Sequence, residues 1–561
     1  MKPSLPATVS LSLVSHTNAG KTTLARTLLG RDVGEVRDEA HVTEQAESHA
    51  LVDSPAGDRL LLWDTPGFGD SQRLARRLQA AGSPLGWLMT QVWDRWRDRS
   101  FWASQQAIRH VLAQTDVALY LVNAAEAPVD AAYVAAELQI LALLHKPVIV
   151  LLNQLGPPGA AHAEGSRLQA WRDHLAALGG LQGVLALDAL ARCWVQEAVL
   201  LQAVAQALPA DRQAAMARLQ SAWAGRQRQT WQAAIALLSA RLLLAALDRE
   251  PLPGAGWSAP LRSLGQTLGR QLGRHLGLAP EAGPGPQAQA MAALADRLAL
   301  QVRRSTDALI LLHGLQGQAS ADLTARMASY FARPAPVSEG RAALWGGLVT
   351  GALAGLKADI ASGGLTLGGG LLAGGLLGAL GAAGAVRGFN KVRGLDQPLL
   401  AWDEPVLQSL LRSTLLAYLA VAHHGRGRGE WVQDDPPPAW TAAVAAVLAG
   451  QQAGWQALWA RRAALLAQAP TAVLAAESTS ASASASASVS ASAAWAAPAP
   501  ADFEAALQAL LASATTELLA RLYPDGAALA GLAAWLPQPA AAVALSHETQ
   551  ATHPRHDHSH R

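Results

Sequence analysis

Short, continuous apolar runs separated by helical stretches dominate the first 208 residues of the chain. The runs are rich in Val and Leu and do not alternate with polar residues, which is typical of strands buried on both faces of a parallel sheet. Helical stretches at 20–29 and 129–144 lie between them. This alternation predicts a three-layer α/β domain with a mostly parallel sheet over residues 1–208. The predicted strands cover residues 8–14, 59–64, 117–123, 148–153 and 184–188.

After residue 208 the pattern changes to long helices rich in Ala, Leu, Arg and Gln, and no further strand is predicted. An apolar, glycine-rich block interrupts these helices, and a Ser/Ala/Pro-rich stretch is typical of a flexible linker. The predicted segments are a helical region at 209–341, a glycine-rich helical hairpin at 342–394, a helical region at 395–477, the linker at 478–501, a short helical segment at 502–540 and a disordered His-rich tail at 541–561.

Composition narrows the class of protein. The 44 Lys and Arg residues nearly balance 42 Asp and Glu, so the net charge of +2 indicates no nucleic-acid partner. The single cysteine, Cys193, fits a reducing cytosol. Residues 1–10 lack the apolar stretch of a signal peptide, so the predicted location is the cytoplasm. Hydrophobic residues make up 51% of the chain and charged residues only 15%, which is apolar enough to suggest a membrane-seeking segment.

The glycine-rich block is the candidate for such a segment. Residues 360–386 carry no charge, and about 20 apolar residues suffice to span a bilayer core. Small residues recur at every fourth position, which lets two helices pack closely, and basic residues flank the block at Arg341 and Arg387. Two interpretations remain open: residues 342–386 contact the inner face of the cell membrane, or they form a hairpin buried in protein.

The segment "SHTNAGKTT" follows the first predicted strand and opens a helix. It fits the pattern G-x-x-x-x-G-K-[ST], with Ser15 in place of the first glycine. In such a loop, backbone N–H groups and the helix N-terminus hold phosphates, the lysine reaches the β and γ phosphates, and the hydroxyl binds Mg²⁺. Lys21 is therefore also a predicted catalytic residue, and Thr22 a predicted metal ligand. The predicted phosphate-binding residues are Ser15, His16, Thr17, Asn18, Ala19, Gly20, Lys21, Thr22 and Thr23.

A second motif, "WDTPG", ends with Gly67. Asp64 closes an apolar strand, where its carboxylate is predicted to hold Mg²⁺ through water. Gly67 is free to turn its N–H toward a γ-phosphate and is a predicted catalytic residue.

With these two motifs, residues 8–208 resemble the small GTPases of the Era and TrmE type. The resemblance implies that GTP and GDP are ligands and Mg²⁺ a cofactor. It also implies that Thr43 is the switch threonine, catalytic and Mg²⁺-binding, and that Asn153, Asp188 and Ala189 lie at the base. Asn18 matches an asparagine that helps bind K⁺ in these relatives, so K⁺ is a second candidate cofactor; a turn-stabilising role is the alternative. The whole chain resembles an uncharacterised group of bacterial proteins in which such a domain is joined to a helical, glycine-rich C-terminal half.

Besides Ser15, the sequence departs from related GTPases at the fourth motif and at Phe68. The family's N-K-x-D motif here is "NQLG", with Gly156 in place of the aspartate that accepts hydrogen bonds from guanine. The loss of such a buried pair typically costs about 1–3 kcal/mol of base discrimination, so only a modest preference for GTP over ATP is predicted. Phe68 stands where Ras-like enzymes place a water-orienting glutamine.

Two functions fit the sequence. The first is a slow GTPase switch that couples its nucleotide state to the helical C-terminal region, at or near the cytoplasmic membrane and with an unknown protein partner. The second is a degenerate nucleotide-binding scaffold with little turnover. The intact "GKTT" and "DTPG" motifs favour the first.

Overall fold

The structure is a computed structural model. It describes residues 6–31, 33, 46–80, 86, 99–155, 161–189, 193–251, 286–315, 389–392, 399–424, 437–468 and 501–523. Thr43, Gly156, the glycine-rich block at 342–386, the linker and the His-rich tail lie outside these residues.

The N-terminal region contains one mixed sheet of six strands in the order β2-β3-β1-β4-β5-β6. All strands are parallel except β2, which pairs antiparallel with β3. The predicted α/β class with a mostly parallel sheet is confirmed. The strands are β1 (Thr8–Ser15), β2 (Glu47–Asp53), β3 (Arg59–Asp64), β4 (Val117–Asn123), β5 (Val148–Asn153) and β6 (Gly183–Ala186).

Strand β2 was not predicted. Its sequence, "ESHALVD", is only partly buried because it lies at the edge of the sheet, so it lacks the continuous apolar run of the central strands.

Helices cover both faces of this sheet. Alternate residues of a strand point to opposite faces, so a central strand can contribute to two separate apolar clusters. In β4, Leu119 and Leu121 belong to one cluster, and Tyr120 and Val122 to the other. The helices of this region are α1 (Lys21–Leu29), α2 (Ser71–Ala80), α3 (Arg99–Gln114), α4 (Ala132–Ala142), α5 (Ala161–Ala176) and α6 (Trp194–Ala207).

The described part of the C-terminal region is mainly helical, as predicted. Its longest helix, α7 (Ala210–Leu247), packs against β1, β2 and β3 and also against later helices. Those later helices are α8 (Pro286–Leu312), α9 (Glu404–Ala422), α10 (Pro438–Gly450), α11 (Gln452–Gln468) and α12 (Ala501–Leu522).

The prediction that strands end at residue 208 is wrong. A small antiparallel sheet joins β7 (Arg249–Pro251), β9 (Leu399–Trp402) and β8 (Phe389–Val392) in the order β7-β9-β8. Strands of three or four residues are too short to give a clear hydrophobic period.

One hydrophobic core crosses the predicted boundary at residue 208. The cluster that contains Leu24 under the sheet also contains Trp223 of α7, Leu407 of α9 and Phe503 of α12. Helix α6 ends at Ala207 and α7 begins at Ala210, so residue 208 lies in a short connection between two helices, and the core continues across it.

Among the described residues, α7 and α9 are long and apolar enough to cross a membrane by length and composition. Half of the most apolar window of α7 and 67% of that of α9 are buried inside the protein. Core helices meet the same criterion, so this observation does not establish membrane association.

Candidate nucleotide-binding site

The predicted phosphate-binding loop connects the end of β1 to the start of α1, as expected. Asn18 and Gly20 both adopt left-handed backbone conformations, with φ of 64° and 89°. Asparagine tolerates this conformation better than most residues do, which agrees with a turn-forming role for Asn18. At Gly20, an added Cβ would lie 2.7 Å from Asn153 Nδ2, so both the backbone and the packing require glycine.

Serine replaces the first glycine of the motif without strain in the loop. Ser15 is the last residue of β1, and its hydroxyl donates to the carbonyl of His16 at 2.6 Å. It also accepts from Lys21 Nζ at 3.0 Å, so the serine contacts the lysine of the motif.

Lys21 is buried against the loop, with 8% of its surface exposed. Its Nζ lies 3.4 Å from the carbonyl oxygen of His16. Burial lowers the pKa of Lys21, while the carboxylates of Asp64 and Glu137 act in the opposite direction. Two buried acidic side chains therefore stabilise the ammonium group at the phosphate-binding loop.

The two predicted metal ligands that the structure describes lie together. The Thr22 hydroxyl donates to Asp64 Oδ2 at 2.5 Å. The other carboxylate oxygen, Oδ1, is buried and has no hydrogen-bond partner within the described part of the chain. Burial raises the pKa of Asp64, against the effects of Thr22 and Lys21. A hydroxyl beside a carboxylate with an unmatched oxygen is an oxygen-donor set that fits Mg²⁺.

The "DTPGF" segment lies directly on the phosphate-binding loop. The Phe68 N–H donates to the Ser15 carbonyl at 2.9 Å, and the Thr17 N–H donates to the Phe68 carbonyl at 3.2 Å. A Cβ on Gly67 would lie 3.0 Å from Lys21 Nζ and 3.1 Å from the Thr17 Cα, so a side chain here would crowd the lysine and the loop. The Phe68 side chain is fully buried in the apolar cluster opposite α1 and cannot orient a water molecule.

Asn153, the last residue of β5, forms hydrogen bonds to the phosphate-binding loop and to the segment after β6. Its Nδ2 donates to the Ala19 carbonyl at 2.9 Å, and its Oδ1 accepts from the Ala189 N–H at 2.8 Å. Asp188 Oδ2 accepts from the Leu155 N–H at 2.7 Å. The side-chain amide of Asn153 carries a second hydrogen that these bonds do not use. The structure thus brings Asn153, Asp188 and Ala189 together, while their predicted contact with a base stays a prediction.

The sequence analysis did not predict the acidic and aromatic residues that contact His16 of the phosphate-binding loop. His16 Nδ1 lies 2.7 Å from Oε1 of Glu137, and the Tyr120 hydroxyl donates to Oε2 at 2.8 Å. The His16 ring also stacks on Tyr133, with ring centroids 4.4 Å apart. The one available signal was Glu137 itself, a single acidic residue within the apolar stretch "AAYVAAELQILALL".

Comparisons with known proteins agree with this geometry. Residues 10–154 match the family model of the 50S ribosome-binding GTPase, and residues 337–443 match that of a domain of unknown function (DUF3482). No curated protein matches this chain.

Several solved structures of GTP-binding proteins also match. Era in complex with MgGDPNP and a segment of 16S ribosomal RNA is 19% identical, with 37% of this chain and 58% of that chain covered and a TM-score of 0.28. An Aquifex aeolicus Era variant bound to GDP and AlF4⁻ is 20% identical, with 36% and 57% covered and a TM-score of 0.27. A probable GTP-binding protein engB is 16% identical, with 32% and 88% covered and a TM-score of 0.19. The match spans less than two thirds of either Era chain.

The sheet, the loop and the family match define a GTP-binding P-loop GTPase domain in the N-terminal region. It is followed by a C-terminal region that carries the match to the domain of unknown function.

Proposed function

We propose that this protein is a slow GTPase switch whose N-terminal domain binds Mg²⁺-GTP and reports the nucleotide state to the C-terminal helices. The observation that carries the proposal is the oxygen-donor pair at the loop. The Thr22 hydroxyl lies against Asp64, whose second oxygen is buried without a hydrogen-bond partner among the described residues. A buried acceptor left without a partner is costly in a folded protein, and a cation would satisfy it.

Around this pair, the chain offers the groups that phosphoryl transfer needs. Lys21 supplies a positive charge at the loop, and Gly67 brings the backbone of the "DTPG" segment close to it without a side chain. Bound Mg²⁺ would stabilise the negative charge that develops on the phosphate oxygens. Thr43 is proposed as an additional Mg²⁺ and γ-phosphate ligand from the resemblance alone, and K⁺ is proposed as a second cation near Asn18.

The proposed hydrolysis is slow because no side chain at the "DTPG" segment orients the attacking water. Phe68 is buried in the apolar cluster, with both its N–H and its carbonyl bound to the phosphate-binding loop. A water-orienting group would have to come from another segment or from a protein partner.

Helix α7 is the proposed route by which the nucleotide state reaches the C-terminal region. Arg218 of α7 donates through Nε and Nη2 to both carboxylate oxygens of Asp58, each at 2.7 Å. Asp58 lies in the turn between β2 and β3, and hydrogen bonds from Arg218 hold the pKa of its carboxyl well below the usual range. Arg226 of α7 also donates to the Leu51 carbonyl of β2 at 3.2 Å.

These contacts join α7 to the strands that flank the nucleotide site. Strand β3 ends at Asp64, and β2 follows the segment that contains Thr43. A shift of this hairpin on nucleotide exchange would therefore be transmitted to the long helix.

A degenerate nucleotide-binding scaffold is the second candidate function. The buried Phe68 and the absence of the family's aspartate at Gly156 favour it over rapid turnover. Both functions are proposed for the cytoplasm, with a protein partner of unknown identity and with membrane contact through residues 342–386.

Isothermal titration of the full chain tests nucleotide binding. With Mg²⁺ present, we expect GTP and GDP to bind, and ATP to bind less tightly by a modest factor because Gly156 replaces the carboxylate. Lys21→Ala removes a charge from the β and γ phosphates and should weaken GTP binding at least about tenfold. Lys146→Ala is the matched control, since Lys146 precedes β5 and lies far from the end of that strand at Asn153.

An unchanged dissociation constant for Lys21→Ala would refute the assignment of the loop. Single-turnover hydrolysis then separates the two candidates. Conversion of bound GTP to GDP supports the switch, whereas GTP that remains intact on the protein for hours supports the scaffold.

A further inference from the structure

An arginine inside the helical C-terminal region has hydrogen-bond donors that are not used. Arg241 of α7 is only 2% exposed, so its guanidinium group lies in the protein interior. Its Nη1 donates to the Ser305 hydroxyl of α8 at 3.3 Å. Its Nε and Nη2 atoms are buried and have no hydrogen-bond partner in the part of the chain that the structure describes. Both nitrogens carry hydrogens, so the buried guanidinium has donors without an acceptor.

The charge of Arg241 is also uncompensated within the described ranges. Burial is the cause that lowers its pKa to about 10, so the guanidinium remains positive at neutral pH. Asp307, which follows Ser305 on α8, interacts electrostatically with Arg303 instead. Removing an arginine from water without an anionic partner costs several kcal/mol. A bound anion would offset that cost.

Two other arginines show which ligands the unused nitrogens hold elsewhere in this protein. Arg218, on the same helix, binds both carboxylate oxygens of Asp58 through Nε and Nη2, each at 2.7 Å. Arg297 binds the carboxylate of Asp248 through the same two atoms, at 3.1 and 2.9 Å. These two N–H groups are parallel and match the spacing of two oxygens on a carboxylate or a phosphate. Arg241 offers the same pair of donors to no group of the described chain.

We propose that Arg241 forms a binding site for a small oxyanion, a phosphate or a carboxylate, that accepts hydrogen bonds from Nε and Nη2 at the contact between α7 and α8. Next to Ser305, Thr306 has a buried hydroxyl that is also without a partner among the described residues. The bound anion holds α7 against α8, which makes the position of α7 dependent on a ligand. This site is independent of nucleotide binding and goes beyond the proposed function.

Thermal unfolding of the full chain, dialysed into chloride buffer, tests the site. At constant ionic strength, sodium phosphate or sodium acetate should raise the melting temperature of the wild type by about 2 °C or more and should saturate, because the anion binds only the folded state. Arg241→Met should lose this shift. Arg304→Met removes an exposed arginine of α8 and should retain it, which controls for the general effect of these salts on stability.

Stability in chloride alone distinguishes an anion site from a purely structural arginine. Methionine is of similar length and uncharged, so Arg241→Met removes a buried charge that has no acceptor. We expect this variant to melt at the temperature of the wild type or above it. An arginine that is neutralised by the protein itself would be destabilising to replace in every salt. A lower melting temperature of Arg241→Met in chloride, or equal anion shifts in Arg241→Met and the wild type, would overturn the proposal.

Arg241→Lys provides a second variant that keeps the charge. Lysine lacks the parallel pair of N–H groups, so the shift caused by phosphate or acetate should be smaller than in the wild type. A full wild-type shift in Arg241→Lys would contradict the assigned geometry. This comparison also decides the proposal if Arg241→Met does not fold.

The phosphate-binding loop is a second place where phosphate can bind, so the comparison is repeated in a Lys21→Ala background. The part of the shift that depends on Arg241 should persist there. A shift that Lys21→Ala abolishes and Arg241→Met retains belongs to the nucleotide site and overturns this proposal. Failure of the full chain to bind GTP would refute the proposed function without changing the shift expected from Arg241.

Discussion

Single residues in the phosphate-binding loop were predictable where a motif fixes their chemistry, and unpredictable where a distant contact does. Lys21, Thr22 and Asp64 follow from their spacing, and the structure places the three together. Glu137, the partner of His16, lies 121 residues away on α4, so no local sequence pattern could predict this contact. Serine at the first motif position is tolerated because Ser15 is still in the extended strand.

At the residue scale, Gly67→Ala should weaken GTP binding without unfolding the domain. The added methyl group would lie 3.0 Å from Lys21 Nζ and 3.1 Å from the Thr17 Cα, so we expect it to displace the lysine or the "DTPG" segment by a few tenths of an ångström. We expect GTP affinity to fall about tenfold or more, while the circular dichroism spectrum stays unchanged. Gly183→Ala is the control, because a Cβ there meets no atom within 4 Å. Equal GTP affinity in both variants would show that Gly67 does not contact the site.

At the scale of elements, the inner strands were predictable because burial on both faces leaves a continuous apolar run. Strand β2 was missed because an edge strand keeps polar residues, and the β7-β9-β8 sheet was missed because its strands are so short. The contact between α7 and the β2–β3 turn could not be predicted either, because Asp58 and Arg218 are 160 residues apart in the sequence. Element types therefore follow from local pattern, whereas their docking depends on pairs far apart in sequence.

The docking of α7 gives a prediction about communication between the two regions. Arg218→Ala leaves the buried Asp58 carboxylate without its bidentate partner and should loosen α7 from the β2–β3 turn. Hydrogen exchange measured by mass spectrometry should be about tenfold faster in the N-terminal half of α7, with GTP affinity unchanged. A difference in α7 exchange between the GTP and GDP states should disappear in this variant and persist in Gln229→Ala, an exposed control. Exchange that is the same in Arg218→Ala and the wild type would exclude this route.

A buried histidine at the end of α9 predicts how stability depends on pH. The His423 ring contacts the rings of Trp440 and Tyr523, and burial lowers its pKa to about 4. An unfolded histidine binds a proton near pH 6.5, so the contribution of the neutral form is complete above that pH and is lost as the pH falls toward 4. Between pH 7 and 5 the wild type should lose about 2 kcal/mol more unfolding free energy than His423→Gln. Urea unfolding at both pH values measures this difference, with His145→Gln as an exposed control; parallel losses in all three proteins would contradict it.

At the scale of the whole molecule, the α/β class of the N-terminal region and the helical class of the C-terminal region are confirmed. The hydrophobic core that the two regions share was not predicted. The sequence predicts separate units on either side of residue 208, because continuous apolar runs typical of strands precede it and a helical pattern follows it. In the structure, Met216 and Trp223 of α7 complete the face of the sheet that α1 covers. Which apolar faces meet is decided by shape, and hydrophobic pattern alone does not specify it.

Cell fractionation tests the proposed membrane contact at this scale. The full chain should sediment with membranes at low salt, and a version lacking residues 342–386 should not, because the uncharged, glycine-rich run is removed. Nucleotide binding by both versions provides the folding control. Recovery of the full chain entirely in the supernatant would assign the segment to the protein interior.

The core that continues past residue 208 limits how this protein can be divided. A nucleotide domain cut at that position would present to water the sheet face that α7 covers, where Leu60 and Leu62 are fully buried. Such a fragment should associate with itself in solution, and a gene fusion that exchanges the N-terminal half for another GTPase would have to carry α7 along with it. The nucleotide domain and the first helix of its neighbour thus share one hydrophobic core and have to be kept together.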